Sequence, residues 1–319
     1  MDIHHFHRQT IIVDGHEDIS YQVLEKNLDF GNDKKSLTQV SLPHLQNASV
    51  NLVFGAIFLE NQKDLRSVKK HLKTYKNLAK KYNLKIIKNS KEIEKIIPQK
   101  DLGFIIHLEG AEPIKNARDL ENLYKANLRS VSLTWKNKNH LAGGNLSSSG
   151  LTSFGKKILN LAQKLNMIID LAHLNKKSFY QVLQNTKGPV IVSHSNCKKL
   201  CDYKNRNLDN CQIKAIAKRN GVIGINVYDK MLSSDARANV KTVCDHIDYI
   251  KILVGIDYVG LGSDFAGIKA KKTPNKLSNI GELKNLTREL ISRNYKNEEI
   301  QKILGLNFLR VIKKILYEN

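Results

Sequence analysis

Eight short apolar segments, rich in β-branched residues, alternate along this chain with amphipathic segments. They span residues 10–13, 50–59, 103–108, 128–133, 167–171, 189–192, 221–227 and 258–261. The intervening segments, among them 65–82, 153–165 and 240–254, carry apolar residues at helical spacing. This alternation favours parallel βαβ units. The 319 residues are enough for one large domain of that kind.

Eight parallel strands can form a closed barrel or an open doubly wound sheet. An open sheet that binds a nucleotide carries a glycine-rich turn after its first strand, whereas here the sequence DGHED follows that strand. Polar residues of metal-ligand type also follow other strands, and a barrel brings all carboxyl ends to one mouth. We therefore predict a (β/α)8 TIM barrel of the metal-dependent hydrolase type. It forms a single domain over 1–319, with a C-terminal helical pair from about residue 283 packing on its outside.

The chain is strongly basic, with 52 Lys and Arg against 30 Asp and Glu and a formal charge of +22. The lysines are scattered among asparagines, without the arginine-rich arm or aromatic interleaving of an RNA-binding surface. We expect no specific nucleic-acid partner, although a basic nucleic-acid-binding protein stays an alternative. We also expect no membrane association and a cytoplasmic location, because no segment reaches the ~18 apolar residues of a span and no signal-peptide core is seen.

Five residues of ligand type stand at predicted strand ends. His16 and Asp18 are two residues apart, so in extended geometry they leave the same face and can hold one ion. His173 in MIIDLAH and His194 in PVIVSHS offer imidazole nitrogens suited to zinc. Glu109 ends the strand GFIIHLE, and its two oxygens can bridge two cations. Together they predict a centre with two ions about 3.5 to 4 Å apart.

Other polar residues have a functional and a structural interpretation. Asp264 follows the last strand, where it could shuttle a proton to a leaving amine or cap a helix. Arg206 could bind a substrate carboxylate through its guanidinium fork or lie on the surface. His107 shares the face of Glu109 but lies one layer deeper, so we predict a packed histidine there. The spacing of His194, Cys197 and Cys201 could suit one structural zinc, but no second cysteine pair completes such a site, so we predict buried thiols there.

The segments VDGHED, HLEGAEPI, LTWKNKN, MIIDLAHL, PVIVSHSN, KNRNLDN, VGLGSDFAGI and LGLNFLRV occur in this order along the chain. In these segments the chain resembles the membrane (renal-type) dipeptidases, peptidase family M19, among the amidohydrolase-like metal barrels. The resemblance implies that His16 and Asp18 bind one Zn²⁺ and that His173 and His194 bind the other. It also implies that Glu109 bridges the two ions.

The resemblance further implies hydrolysis of dipeptides, including those with a D-residue at the C-terminal position, by a metal-bridging hydroxide. Arg206 would hold the substrate's terminal carboxylate, and Asp264, with Glu109, would be catalytic. Another small amide, lactam or lactone is the alternative substrate, and a homodimer is a further expectation. Trp135 stands where animal members carry a histidine that contacts the tetrahedral intermediate, so we assign it, with Asn207, to substrate binding. His140 is a nearby candidate for the missing histidine.

Overall fold

The computed structural model describes residues 2–32, 38–99, 101–235 and 237–317. All strand pairs in its sheet are parallel. The strands are β1 Val13–Glu17, β2 Leu52–Phe58, β3 Lys85–Ile86, β4 Gly103–Glu109, β5 Leu128–Ser132, β6 Ile168–Asp170, β7 Ile191–Ser195, β8 Val222–Ile225 and β9 Val259–Leu261. Their order is β2-β1-β9-β8-β7-β6-β5-β4-β3, and β2 also pairs with β4. That pairing closes eight strands into a ring, so the predicted (β/α)8 barrel is confirmed.

The helices alternate with these strands as the sequence predicted. They are α1 Ile3–Gln9, α2 Ile19–Leu24, α3 Leu42–Asn47, α4 Leu65–Lys81, α5 Ser90–Gln99, α6 Ala117–Lys125, α7 Ser153–Lys164, α8 Lys176–Asn185, α9 Asn210–Lys218, α10 Asp229–Leu232, α11 Val240–Val254, α12 Leu283–Ser292, α13 Asn297–Gln301 and α14 Asn307–Ile315. Several begin at a side-chain cap, since Asp64, Thr152 and Asn175 each accept a hydrogen bond from the first turn of the following helix. Within the described ranges, no helix combines the length and apolar character needed to cross a bilayer.

Two strands differ from the sequence prediction. The first strand begins at Val13 rather than at residue 10, because helix α1 occupies the preceding residues and is capped by the side chain of Asp2. The two-residue strand β3 pairs with the start of β4 and was not predicted. The later start of β1 places His16 inside the strand and Asp18 directly after it, so both still lie at the carboxyl end.

Alternate residues of each strand face opposite sides of the barrel wall, as the period of two requires. In β2, Val53 and Ile57 belong to the large apolar cluster that includes the surrounding helices, whereas Leu52 and Phe54 belong to a second cluster. That second cluster contains inward-facing residues of the strands together with apolar residues of α5 and α14. The two faces of the barrel wall therefore belong to separate apolar cores.

Three helices, α12 to α14, occupy the described chain from residue 283 onward, and the first and last of them lie in different places. Helix α12 packs in the outer layer against α11 and α1. Helix α14 instead lies against strands β1, β8 and β9, with the fully buried Phe308 ring 5.7 Å from that of Phe54. A Cβ atom at Gly15 or Gly260 would lie only 2.5 or 2.7 Å from the Phe308 ring, so the close approach needs glycine. The last helix thus fills the interior from the end opposite the strand carboxyl ends, which are left for a functional site.

Candidate metal centre

The five predicted ligands meet at the carboxyl ends of the strands. His16 lies in β1 and Asp18 follows it, Glu109 is the last residue of β4, His173 comes three residues after β6, and His194 lies in β7. Their side chains are at most 10% exposed. Residues that are up to 178 positions apart along the chain therefore share one buried site.

Glu109 stands between two groups of ligand atoms. Its Oε1 atom lies 2.9 Å from His173 Nε2 and 3.5 Å from His194 Nε2, and these two nitrogens are 3.0 Å apart. On the other side, Oε1 lies 3.7 Å from His16 Nε2, which is 3.8 Å from Asp18 Oδ2. This is the arrangement expected of a carboxylate shared by two cation subsites.

Several of these buried atoms have no hydrogen-bond partner among the described residues. They include both ring nitrogens of His16, Asp18 Oδ1 and His173 Nδ1. A buried polar atom without a partner is costly, and a coordinated cation removes that cost. Two groups of three ligand atoms lie close enough together to hold an ion. One comes from His16, Asp18 and Asp264, the other comes from His16, Glu109 and His194, and the atoms of each group lie within 4.8 Å of one another. The donors fit a divalent metal with nitrogen and oxygen ligands.

The pKa values of the site are shifted in both directions, upward for Glu109, Asp264 and His16 and downward for His173. Burial raises the pKa of Glu109 to about 8 and that of Asp264 to about 7, with His16 opposing both shifts. Burial lowers the pKa of His16, but the carboxylates of Glu109 and Asp18 outweigh it and raise the value to about 10. Burial holds the pKa of His173 well below its usual range, so this imidazole is a neutral donor. Metal binding should therefore release protons.

A pair of buried acidic residues lies beneath this group. Ser263 Oγ is 2.6 Å from both Asp14 Oδ2 and Glu17 Oε1, and Glu17 also accepts from the Ala266 N–H at 2.8 Å. Burial raises the pKa of Glu17 well above its usual value, and the charge of Asp14 adds to the shift. The single hydroxyl hydrogen of Ser263 cannot serve both acceptors, so one of the two acids carries a proton. The local sequence showed no sign of this support beyond two acidic residues directly after an apolar segment.

Arg206 is buried at the edge of the ligand group. Its Nη2 donates to the backbone oxygen of His194 at 2.7 Å, which turns the guanidinium toward the site. Asn207 lies differently, because its Nδ2 donates to the carbonyls of Cys201 and Met231 at 2.7 and 2.8 Å. That amide nitrogen stabilises the loop. A substrate contact by Asn207 stays a prediction, and the atom available for it is Oδ1.

Trp135 lines the mouth on the side of His173. Its ring centroid is 6.3 Å from that of His173 and 4.8 Å from that of Phe58. The ammonium groups of Lys136 and Lys63 lie 4.0 and 5.7 Å from the ring. The residue predicted to contact substrate therefore forms an aromatic wall flanked by positive charge.

The other candidates named from the sequence are engaged away from the ligand atoms. His140 Nε2 lies 2.8 Å from a backbone carbonyl in the loop after β4. His107 is packed below the site, with Nδ1 2.9 Å from a serine hydroxyl on β5, as its deeper position suggested. Cys197 and Cys201 are buried free thiols near backbone carbonyls.

Comparisons with known proteins identify the family. A family model described as membrane dipeptidase, peptidase family M19, matches residues 1–317. An uncharacterised protein in the pqqA 5′ region of Klebsiella pneumoniae is 32% identical over 245 residues, which cover 73% of this chain and 89% of that protein. Human dipeptidase 3 is 27% identical over 97% of this chain, which spans 66% of the human protein's length.

Solved structures share the fold. The dipeptidase AC, a metallopeptidase of family M19, superposes with a TM-score of 0.88 at 22% identity over 97% of this chain and 100% of that chain. A metallopeptidase from Rhodobacter sphaeroides, liganded with a phosphinate mimic of the dipeptide L-Ala-D-Ala, gives a TM-score of 0.86 at 22% identity over 96% and 99%.

Proposed function

The chain belongs to peptidase family M19, the membrane dipeptidase family, and from that premise we propose that it is a metal-dependent dipeptidase with two Zn²⁺ per chain. The position of Glu109 carries the proposal. Its Oε1 atom lies within 3.7 Å of Nε2 of His16, His173 and His194, between the two ligand groups. Imidazole and carboxylate ligands of this kind suit zinc.

Two groups of residues would hold the ions. His16 and Asp18 would bind one ion, His173 and His194 would bind the other, and Glu109 would serve both. When bound, the ion pair supplies the Lewis acidity that activates water near neutral pH and polarises the scissile carbonyl. The side chains need little rearrangement, because they already converge in a buried site.

The remaining groups bind the substrate and move its protons. Arg206 binds the terminal carboxylate of the dipeptide through its guanidinium fork, which selects short peptides because a longer chain has no carboxylate at that point. Asn226 donates to Asp264 Oδ2 at 2.9 Å and so orients that carboxylate. Asp264 Oδ1 then takes the proton of the attacking water and passes it to the leaving amine. A D-residue at the C-terminal position and a cytoplasmic location are part of the same proposal.

The test combines metal analysis of the purified protein with a panel of L,L and L,D dipeptides, a lactam and a lactone. We expect two zinc ions per chain and chelator-sensitive release of amino acids from dipeptides. Glu109→Gln should lower kcat/KM at least about 100-fold, the scale of losing one essential electrostatic group. Glu112→Gln is the matched control, because Glu112 pairs with Lys63 at 3.1 Å and is assigned no metal ligation.

Three results would count against the proposal. Full activity in metal-free protein would rule out a catalytic role for the ions. Unchanged hydrolysis by Glu109→Gln would rule out the proposed role of Glu109 as the shared carboxylate. Turnover of the lactone or lactam with none of the dipeptides would reassign the substrate.

A further inference from the structure

A hydrogen-bonded aspartate and serine lie directly beneath His173 and His194. Asp170 Oδ1 accepts from the backbone N–H groups of Ser193 and Ala172, each at 2.9 Å. Asp170 Oδ2 accepts from Ser193 Oγ at 2.5 Å. Both side chains are at most 1% exposed, so water does not compete for these contacts.

The same arrangement recurs beneath the other ligand group. Asp14 Oδ1 accepts from the backbone N–H groups of Ser263 and His16 at 3.0 and 3.1 Å, and Asp14 Oδ2 accepts from Ser263 Oγ at 2.6 Å. Ser193 immediately precedes His194, and Ser263 immediately precedes a second carboxylate of the site, Asp264. The Asp170–Ser193 pair therefore joins β6 to β7, and the Asp14–Ser263 pair joins β1 to the segment directly after β9. Each pair supports one half of the centre.

The two pairs differ in the further contact that the serine hydroxyl makes. Ser193 Oγ lies 2.8 Å from His194 Nδ1. The serine hydroxyl has one hydrogen and gives it to Asp170, so His194 Nδ1 must donate to Ser193 Oγ. The neutral imidazole then carries its hydrogen on Nδ1 and leaves a lone pair on Nε2. That atom lies 3.0 Å from His173 Nε2 and 3.5 Å from Glu109 Oε1.

The other two ligand histidines lack such support among the described residues. Neither ring nitrogen of His16 has a hydrogen-bond partner there, and His173 Nδ1 has none. We propose that Ser193, held by Asp170, is a positioning residue that fixes the Nδ1–H tautomer of His194 and so prepares its Nε2 for metal. This inference rests on the proposed metal centre, but the tautomer itself can be measured without metal or substrate.

Asp170→Asn gives the sharpest test because it should reverse the hydrogen-bond chain. The side-chain oxygen must stay at the Oδ1 position, where two backbone N–H groups donate to it. The new NH₂ group then faces Ser193 Oγ and donates to it. The serine hydrogen turns to His194 Nδ1, which forces the hydrogen of the imidazole onto Nε2 and blocks metal ligation.

The experiment measures zinc affinity by chelator competition and the His194 tautomer by ¹⁵N NMR of the metal-free protein. Ser193→Ala should weaken binding of one of the two zinc ions about 10- to 100-fold and mix the tautomers, and Ser193→Thr should restore both. Asp170→Asn should place the hydrogen on Nε2 and weaken zinc more than Ser193→Ala does. The matched control is Ser178→Ala, which removes a fully buried, hydrogen-bonded serine on α8 outside the site.

Two results would overturn the inference. One is an Nε2–H tautomer of His194 in the unsubstituted protein. The other is zinc affinity in Ser193→Ala equal to that in Ser178→Ala. Failure of the dipeptidase proposal looks different, because the Nδ1–H tautomer and its dependence on Ser193 would persist in a protein that cleaves no dipeptide.

Discussion

The contact between Phe308 and Gly260 gives a stability prediction in the form of a double-mutant cycle. Phe308 is fully buried inside the barrel, and its ring is tilted against that of Phe54, with the centroids 5.7 Å apart. A Cβ atom at Gly260 would lie 2.7 and 2.8 Å from two atoms of the Phe308 ring and 3.3 Å from Val222. Gly260→Ala therefore meets a side chain rather than backbone, and removing that side chain should relieve the clash.

The magnitudes follow from the two environments. Phe308→Ala should lower the free energy of unfolding by about 3 to 5 kcal/mol, the usual range for a fully buried phenylalanine. Gly260→Ala alone should cost about 1 to 3 kcal/mol through overpacking. In the Phe308→Ala background the same methyl enters the vacated space, so its cost should fall to about zero. The coupling energy between the two sites should then be about 1 to 3 kcal/mol.

Chemical denaturation monitored by circular dichroism measures all four corners of the cycle. Tyr317→Ala, two residues beyond the last helix, serves as the control, because this tyrosine is 51% exposed and its loss should change stability by less than about 0.5 kcal/mol. Strictly additive losses from Phe308→Ala and Gly260→Ala would refute the argument that the helix fills the barrel through this ring. A loss below about 1 kcal/mol for Phe308→Ala would refute it as well.

Two further predictions concern the substrate carboxylate and the pH dependence of stability. Arg206→Lys should raise KM for dipeptides at least about tenfold with the zinc content unchanged, because lysine lacks the guanidinium fork. Steady-state kinetics with metal analysis tests this, and an unchanged KM would contradict the proposed carboxylate contact. Burial lowers the pKa of His7 to about 4 from its ordinary 6.5, so the unfolded chain binds more protons between those pH values and stability falls as pH drops through that window. His7→Gln should lower the slope of the free energy of unfolding against pH by about 1.4 kcal/mol per pH unit, which corresponds to about one proton. Denaturant titrations at several pH values measure this slope, and an unaltered slope would contradict the prediction.

Much of the metal centre could be read from local sequence. His16, Glu109 and His194 are of ligand type and occur where apolar strands end, and the closure of parallel strands into a barrel brings such ends together. The alternation that predicted the barrel is also local, because strand and helix periodicity depend on neighbouring residues. Whether Asn207 and Trp135 contact substrate could not be settled in this way, since loop conformation depends on distant packing.

The tertiary structure decided which polar residues support the ligands and what fills the barrel. Asp14 and Ser263 are 249 positions apart, and no local pattern marks them as hydrogen-bond partners. The amphipathic pattern of the last helix indicated that one face is buried but not which surface covers it. Only the tertiary structure places Phe308 among the inward-facing residues of the barrel. Sequence alone thus determined which residue types stand at the strand ends and their order along the barrel. Their orientation depends on contacts between distant segments, which exist only once the chain has folded.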